Sequence, residues 1–240
     1  YAMCPFAYFC KYVLSLAEAP SGDPSSADIG NFVHSFLEHF IARVFDGEQV
    51  VTDELLVSTL EETMDICTRA LGEVAKEPRI EMLVSRLKDN LSIVVKSLAD
   101  EFAHSKFKPA FFELKIGNDT LRPIPVELPD GTKAGVYGVI DRVDTYENGG
   151  KVYVRVVDYK TGKKVFSRAD LKYGLNMQML LYLASLSRTT DKEFLKKLGV
   201  KEGEKPIPAG ILYFSTKMPE AEVVSDMTVD ADKTEESALK

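Results

Sequence analysis

Apolar residues recur at helical spacing through most of the first hundred positions and then shift to the shorter period of strands. Residues 2–18 read as a helix with aromatic and aliphatic residues over much of its surface. Residues 20–27, rich in Pro, Ser and Asp, break it. Asp28 is placed to cap a helix over about 29–45. Two further helices are predicted over 53–75 and 79–104, separated near Pro78. Strands are predicted over 111–116, 135–146, 151–160 and 210–215, interrupted by helices over about 168–187 and 191–198. This order predicts an α/β (α+β) fold, with a mixed central sheet flanked by helices and preceded by a helical region. With no repeat and no long linker, residues 1–216 read as a single domain: 1–105 mainly helical, 106–216 the sheet core. Residues 217–240 read as an acidic, flexible tail.

The two middle strands hold Gly138-Val-Ile-Asp-Arg-Val-Asp144 and Asp158-Tyr-Lys-Thr-Gly162, joined through Glu147-Asn-Gly-Gly-Lys151. Asn148-Gly149-Gly150 is a strong hairpin signal, and closure there pairs residues whose numbers sum to about 299. Asp141 then faces Asp158, and Lys160 shares the Asp158 face, which Val152, Val154 and Val156 continue. Two like charges at the end of an apolar strip are costly unless something compensates them. A divalent cation is the natural compensation, since carboxylate oxygens suit Mg²⁺ or Mn²⁺. The trio therefore suits metal-assisted hydrolysis; the competing reading is a structural ion pair of Lys160 with one aspartate. Asp144 has the opposite parity and faces Arg155, as a structural cross-strand pair would.

Composition bounds the rest. Apolar content of 45% and charged content of 28% are ordinary for a globular protein. No run of about 18 apolar residues suggests a membrane span. The three cysteines, Cys4, Cys10 and Cys67, are no disulfide framework and fit a reducing cytosol; Cys67 falls on an apolar helix face and reads as core. The chain starts at Tyr1 and reads as a fragment, so targeting signals could lie elsewhere. A net charge of −7 opposes nucleic-acid binding, but residues 217–240 hold seven acids against three bases. Residues 160–172 are basic instead, with Lys160, Lys163, Lys164, Arg168 and Lys172 against Asp170. Lys163, Lys164 and Arg168 either contact DNA phosphates or form a solvated face. No GxxxxGK[ST] phosphate-binding loop is present, so no ATPase site of that type is expected in this chain.

Several motifs occur in a telling order: Cys4-Pro-Phe, Gly30-Asn-Phe-Val-His34-Ser-Phe-Leu-Glu38, Phe107-Lys-Pro109 with Glu113, the two strand motifs, and Gln178-Met-Leu-Leu-Tyr182. The set resembles the RecB-like branch of the PD-(D/E)XK nuclease superfamily, most of all the C-terminal nuclease domains of AddB-type helicase–nuclease proteins. The resemblance implies a Mg²⁺- or Mn²⁺-dependent, exonucleolytic deoxyribonuclease. It would serve double-strand break repair and homologous recombination in a bacterial cytoplasm. Its substrate would be DNA, as single strands or duplex ends, and its partner a helicase subunit or an upstream helicase domain. Asp141 and Asp158 would be metal ligands with the Tyr159 backbone carbonyl, His34 a further ligand, and Lys160 the group that positions the attacking water. An imidazole ligand favours Mn²⁺. Glu113 would be an additional acid at the metal or an edge-strand surface residue. Gln178 and Tyr182, four apart on one helix face, would border the site and touch DNA, or follow ordinary helix patterning. Leu175, Met179, Leu183 and Leu186 fit the core face of that helix. His39 lies well round the helix from His34, and His104 has no supporting motif. AddB-type domains often bind an iron–sulfur cluster through one early and three late cysteines. Cys4 matches the early position and no cysteine follows Cys67, so no cluster is expected here. The alternatives are a stand-alone RecB-like exonuclease, or a catalytically silent scaffold that guides single-stranded DNA or binds a helicase. Intact Asp141, Asp158 and Lys160 weigh against the scaffold.

Overall fold

The structure, a computed structural model, describes residues 4–16, 24–45, 51–117, 121, 123, 125–135, 137–162 and 167–216. Its first half is helical: α1 (Pro5–Tyr8), which runs into a π-helical turn over Phe9–Val13, then α2 (Ser26–Val44), α3 (Asp53–Ala70) and α4 (Pro78–His104). Ser25, rather than Asp28, caps α2. The Ser25 hydroxyl accepts the Asp28 N–H at 3.2 Å, and the Asp28 carboxylate accepts the Ser25 N–H at 2.8 Å. Asp28 is thus the acidic half of a capping box, one turn inside the expected boundary. α3 stops short of residue 75 because Gly72 adopts a φ of 63° and a 3₁₀ turn follows over Gly72–Lys76. Pro78 then opens α4, where its missing N–H costs nothing. Phe36, Leu37 and Phe40 of α2, Leu60, Met64 and Cys67 of α3, and Leu91 and Leu98 of α4 form one core. Burial raises the Cys67 thiol pKa, as befits a packed rather than reactive cysteine.

The second half contains β1 (Lys108–Ile116), β2 (Pro125–Glu127), β3 (Lys133–Gly135), β4 (Gly138–Asn148), β5 (Lys151–Lys160), α5 (Arg168–Lys172), α6 (Gln178–Arg188), α7 (Lys192–Lys197) and β6 (Ile207–Ser215). The main sheet has the order β1-β4-β5-β6. Only β5 and β6 pair in parallel, so the sheet is mixed, as predicted. β2 and β3 form a separate short ribbon that takes Gly135 out of the predicted strand over 135–146. Gly149 and Gly150 supply the φ values of 59° and 77° that a tight hairpin turn needs. Arg142 faces Val157 and Asp144 faces Arg155, as the predicted register has it, but the ladder stops short of the predicted Asp141–Asp158 pair.

β5 is covered on both faces. Val152, Val154 and Val156 pack with Met179, Leu186 and Phe194 of the crossover helices, while Val157 and Tyr159 join the helical core. The predicted helix over 168–187 is broken into α5 and α6. Gly174 and Asn176 take φ values of 71° and 56°. Asp170 holds the break: its carbonyl accepts the N–H groups of Tyr173 and Leu175, and its carboxylate accepts Asn176 Nδ2 at 2.7 Å. Among the described residues no helix is long and apolar enough to cross a membrane. The expected tail over 217–240 lies outside the described residues.

Candidate metal centre on the β4–β5 hairpin

The β4–β5 ladder ends at Arg142 and Val157. Beyond it β5 continues against β6 as far as Lys160 and Ser215. The Tyr159 N–H, past the end of the ladder, donates to Asp141 Oδ2 at 2.9 Å. On the other flank of β4, Phe112 faces Arg142 and Leu114 faces Ile140, which puts Glu113 across from Asp141. Glu113 has a φ of 44°, a left-handed conformation uncommon outside glycine and concentrated at functional positions. Helix α2 supplies His34, whose Nε2 lies 3.0 Å from the Tyr159 carbonyl oxygen and Nδ1 3.6 Å from Asp141 Oδ1. His34, Glu113 and Asp141 each offer a ligand atom, and these atoms lie within 4.8 Å of one another. Asp158 is turned to Lys160, with Nζ 2.6 Å from Oδ2. The structure thus gathers His34, Glu113 and Asp141 around one point, with the Tyr159 carbonyl against His34 Nε2 and an Asp158–Lys160 pair adjoining.

The electrostatics of this cluster call for a cation. Burial raises the Glu113 pKa, and the charges of Asp141 and Glu38 raise it further. Burial also raises the Asp141 pKa, against the lowering pull of His34 and the Tyr159 N–H. Both ring nitrogens of His34 face oxygen acceptors. The tautomer that donates from Nε2 to the Tyr159 carbonyl leaves the Nδ1 lone pair facing Asp141 Oδ1, an arrangement that suits a cation between them. Two carboxylates, a carbonyl and an imidazole form a donor set that fits a hard or borderline divalent ion such as Mg²⁺ or Mn²⁺.

Behind the hairpin sits a second charged cluster. Arg142 and Asp144 have fully buried side chains, with Arg142 Nε 2.8 Å from Asp144 Oδ1. That N–H is not aimed at the oxygen, so the contact is ionic, while Arg142 Nη2 donates to Asp144 Oδ2 at 3.0 Å. Arg155 Nε donates to the same oxygen at 2.8 Å. Glu101 of α4 accepts from Arg142 at 3.2 Å and also from Arg155. Arg142 further donates to the Tyr159 hydroxyl at 3.1 Å. The Asp144–Arg155 pair was anticipated from strand parity. Glu101 and Arg142 were not, because nothing in the helical pattern of α4 says which residue meets the hairpin. Glu38 was legible in principle: it lies four residues after His34, on the same helix face.

The remaining candidates fall in different places. Gln178 Nε2 donates to the Tyr182 hydroxyl at 3.1 Å. Tyr182 is buried and packs with Met179 and Leu186, so it lies within the core face of α6. A Cβ at Gly138 would lie 2.2 Å from the Tyr182 hydroxyl oxygen. Gly138→Ala is therefore expected to cost about 1–3 kcal/mol, read as a lower thermal midpoint, and Tyr182→Phe in the same chain should recover part of the loss. Lys163 and Lys164 lie outside the described residues, and Arg168 enters only as the first residue of α5. His39 bonds the Ser35 carbonyl at 2.7 Å, and His104 lies 3.2 Å from Asp100. Neither joins the His34 cluster.

Comparison with known proteins gives one consistent likeness. A family model described as the PD-(D/E)XK nuclease superfamily matches residues 1–240. A protein of Clostridium tetani named as a subunit of an ATP-dependent helicase/deoxyribonuclease is 34% identical over 229 residues, covering 91% of this chain and 19% of that protein. Its namesake from Thermoanaerobacter sp. is 32% identical over 235 residues, covering 95% of this chain and 20% of that protein. The one from Clostridioides difficile is 29% identical over 248 residues and 100% of this chain. The chain spans about a fifth of the length of these relatives.

Proposed function

The chain belongs to the PD-(D/E)XK nuclease superfamily, and on that premise we propose that it is a divalent-metal-dependent deoxyribonuclease domain that hydrolyses phosphodiester bonds from DNA ends. The observation that supports this most is the convergence of His34, Glu113 and Asp141, from three separate elements, on one half-buried point beside Asp158 and Lys160. These three residues and the Tyr159 carbonyl would hold Mg²⁺ or Mn²⁺, with Asp158 alongside. When bound, the ion supplies Lewis acidity toward a phosphoryl oxygen and makes bound water a stronger nucleophile at neutral pH. Asp158 holds the Lys160 ammonium beside the cluster, where it can orient the water and offset charge growing on the phosphate. Asp141 fixes Tyr159 through its N–H, and His34 bonds the Tyr159 carbonyl, so the three set one another's positions. Residues 1–216 would act as one nuclease domain, since the helical half supplies His34 and the sheet half the carboxylates.

The relatives' name pairs a deoxyribonuclease with an ATP-dependent helicase. By that likeness the domain would work on strands delivered by a helicase, on a partner protein or elsewhere in a longer chain. It would act in DNA break repair by recombination, in a bacterial cytoplasm. A silent scaffold would have no use for two carboxylates held against their own repulsion. The test is to incubate the chain with linear single-stranded and duplex DNA in EDTA, then with Mg²⁺ or Mn²⁺. Cleavage is expected only with metal. His34→Ala should raise the Mn²⁺ concentration for half-maximal rate about tenfold or more. DNA bound but left uncut by the unmodified chain under all these conditions would overturn the enzyme reading.

A further inference from the structure

One face of the β1–β4 pair continues outward from the carboxylates and is built as a track. Residues alternate across a strand, so Val139 and Asp141 of β4 lie on one side, as do Lys115 and Glu113 of β1, and Tyr137 and Gly117 stand next to each other just beyond the two strand ends. Lys115 faces Val139 in register, and the opposite side of the same stretch holds the buried Leu114, Ile116 and Ile140. Lys115 is exposed, and its charge reaches Glu113, lowering the carboxyl pKa against the effect of burial. Val139 is 38% exposed and Tyr137 68% exposed.

Tyr137 is not a loose surface side chain. A Cβ at Gly117 would lie 2.1 Å from the ring's Cδ1, and one at Gly135 would lie 2.8 Å from its Cε2. The ring therefore rests against two bare stretches of backbone and leaves most of its surface to solvent. Asp141 is four positions further along the extended chain, about 13 Å away, a span of a few nucleotides. Outward from the metal ligands come a lysine, an aliphatic side chain and a seated aromatic ring. A positive charge beside an aromatic platform is how proteins hold unpaired strands: the cation takes a phosphate and the ring stacks on a base.

We infer that this face is a single-strand track, in which Tyr137 stacks a base a few nucleotides from the scissile phosphate and Lys115 holds a phosphate between them. The inference rests on the nuclease reading and deepens it by naming unpaired DNA as the strand presented to the carboxylates. A duplex keeps its bases stacked on one another and offers Tyr137 no free base face, so the track prefers a single strand.

Binding measured without added metal separates the track from cleavage. The probes are dye-labelled oligothymidylate and a duplex of equal length, followed by anisotropy, and oligothymidylate with 2-aminopurine at successive positions. Tyr137→Ala is expected to weaken single-strand binding about tenfold, with little change for the duplex, and Tyr137→Phe to bind as the unmodified chain does. The 2-aminopurine signal should change sharply at one position, and Tyr137→Leu should remove that change. Lys115→Gln should reduce the slope of log affinity against log salt by about 0.7. If Tyr137→Ala leaves single-strand binding intact, or weakens strand and duplex alike, the face is a packing surface for protein and the track is wrong while the nuclease reading stands. If the unmodified chain binds neither DNA, the track falls, and the nuclease reading stands or falls on the cleavage assay with metal.

Discussion

Lys160→Ala is expected to lower the rate of metal-dependent DNA cleavage by about 10²–10³-fold, the usual cost of losing one group aimed at developing charge. The expectation follows from placement. Lys160 ends β5 with its ammonium 2.6 Å from a carboxylate whose side chain is 7% exposed, while the lysine side chain remains 29% exposed. It is thus held at the boundary between the buried cluster and the space where a phosphate would sit. A surface ion pair in the same strand would contribute little, and its loss would leave the chemistry nearly unchanged. Single-turnover cleavage in saturating Mn²⁺ reads the chemical step, and DNA anisotropy in the same variant shows whether substrate is still bound. A loss smaller than about tenfold with binding retained would make Asp158–Lys160 a structural pair and move the catalytic cation elsewhere. Asp158→Ala should fall with Lys160→Ala, since without the carboxylate the lysine has no fixed place.

The hairpin was legible because its turn residues have so few alternatives. Gly149 and Gly150 both need positive φ, and once they do, Arg142 must face Val157 and Asp144 must face Arg155. Alternation then places the Val152–Val154–Val156 strip on the side of α6, where the structure has it. What the pattern could not supply came from the third dimension or from one unusual dihedral angle. Glu113 reads from sequence as any edge-strand acid; its left-handed backbone and its register opposite Asp141 are what bring it to His34. Arg142 and Glu101 are 41 positions apart in sequence, and no local rule pairs a strand arginine with one particular carboxylate of a long helix. The helix over 168–187 was overextended because its apolar spacing runs on through Tyr173–Met177, whereas Gly174 and Asn176 leave helical φ there. The Ser25 cap was missed for a similar reason: Ser25 and Asp28 are both good capping residues, and only the reciprocal bonds show which one stands outside the helix.

Asp144→Ala is expected to be the most destabilising substitution on the hairpin, at about 3–5 kcal/mol, because it leaves a buried arginine without its main counter-charge. Arg142 has no exposed side-chain surface, and Asp144 contacts it through both carboxylate oxygens while also accepting from Arg155. Burial raises the Asp144 pKa, and Arg142 followed by Arg155 draws it back toward the charged form. Without Asp144, the positive charges of Arg142 and Arg155 depend, among the described residues, on the Glu101 carboxylate, which keeps 19% of its side-chain surface exposed. For a domain of this size each kcal/mol moves the thermal midpoint by roughly 2–4 °C, so a fall of about 10 °C is expected by calorimetry or circular dichroism. Asp141→Asn, three residues away, should do the opposite. It removes a charge that burial disfavours and keeps an oxygen that can accept the Tyr159 N–H, so stability should hold while metal-dependent cleavage is lost. The pair of measurements separates two aspartates of the same strand, one beside His34 of α2 and one tied to Arg142 and Arg155. If Asp144→Ala melts with the unmodified chain, the buried cluster is not what ties α4 to the hairpin. If Asp141→Asn melts well below it, the carboxylate is a structural anchor as well as a ligand.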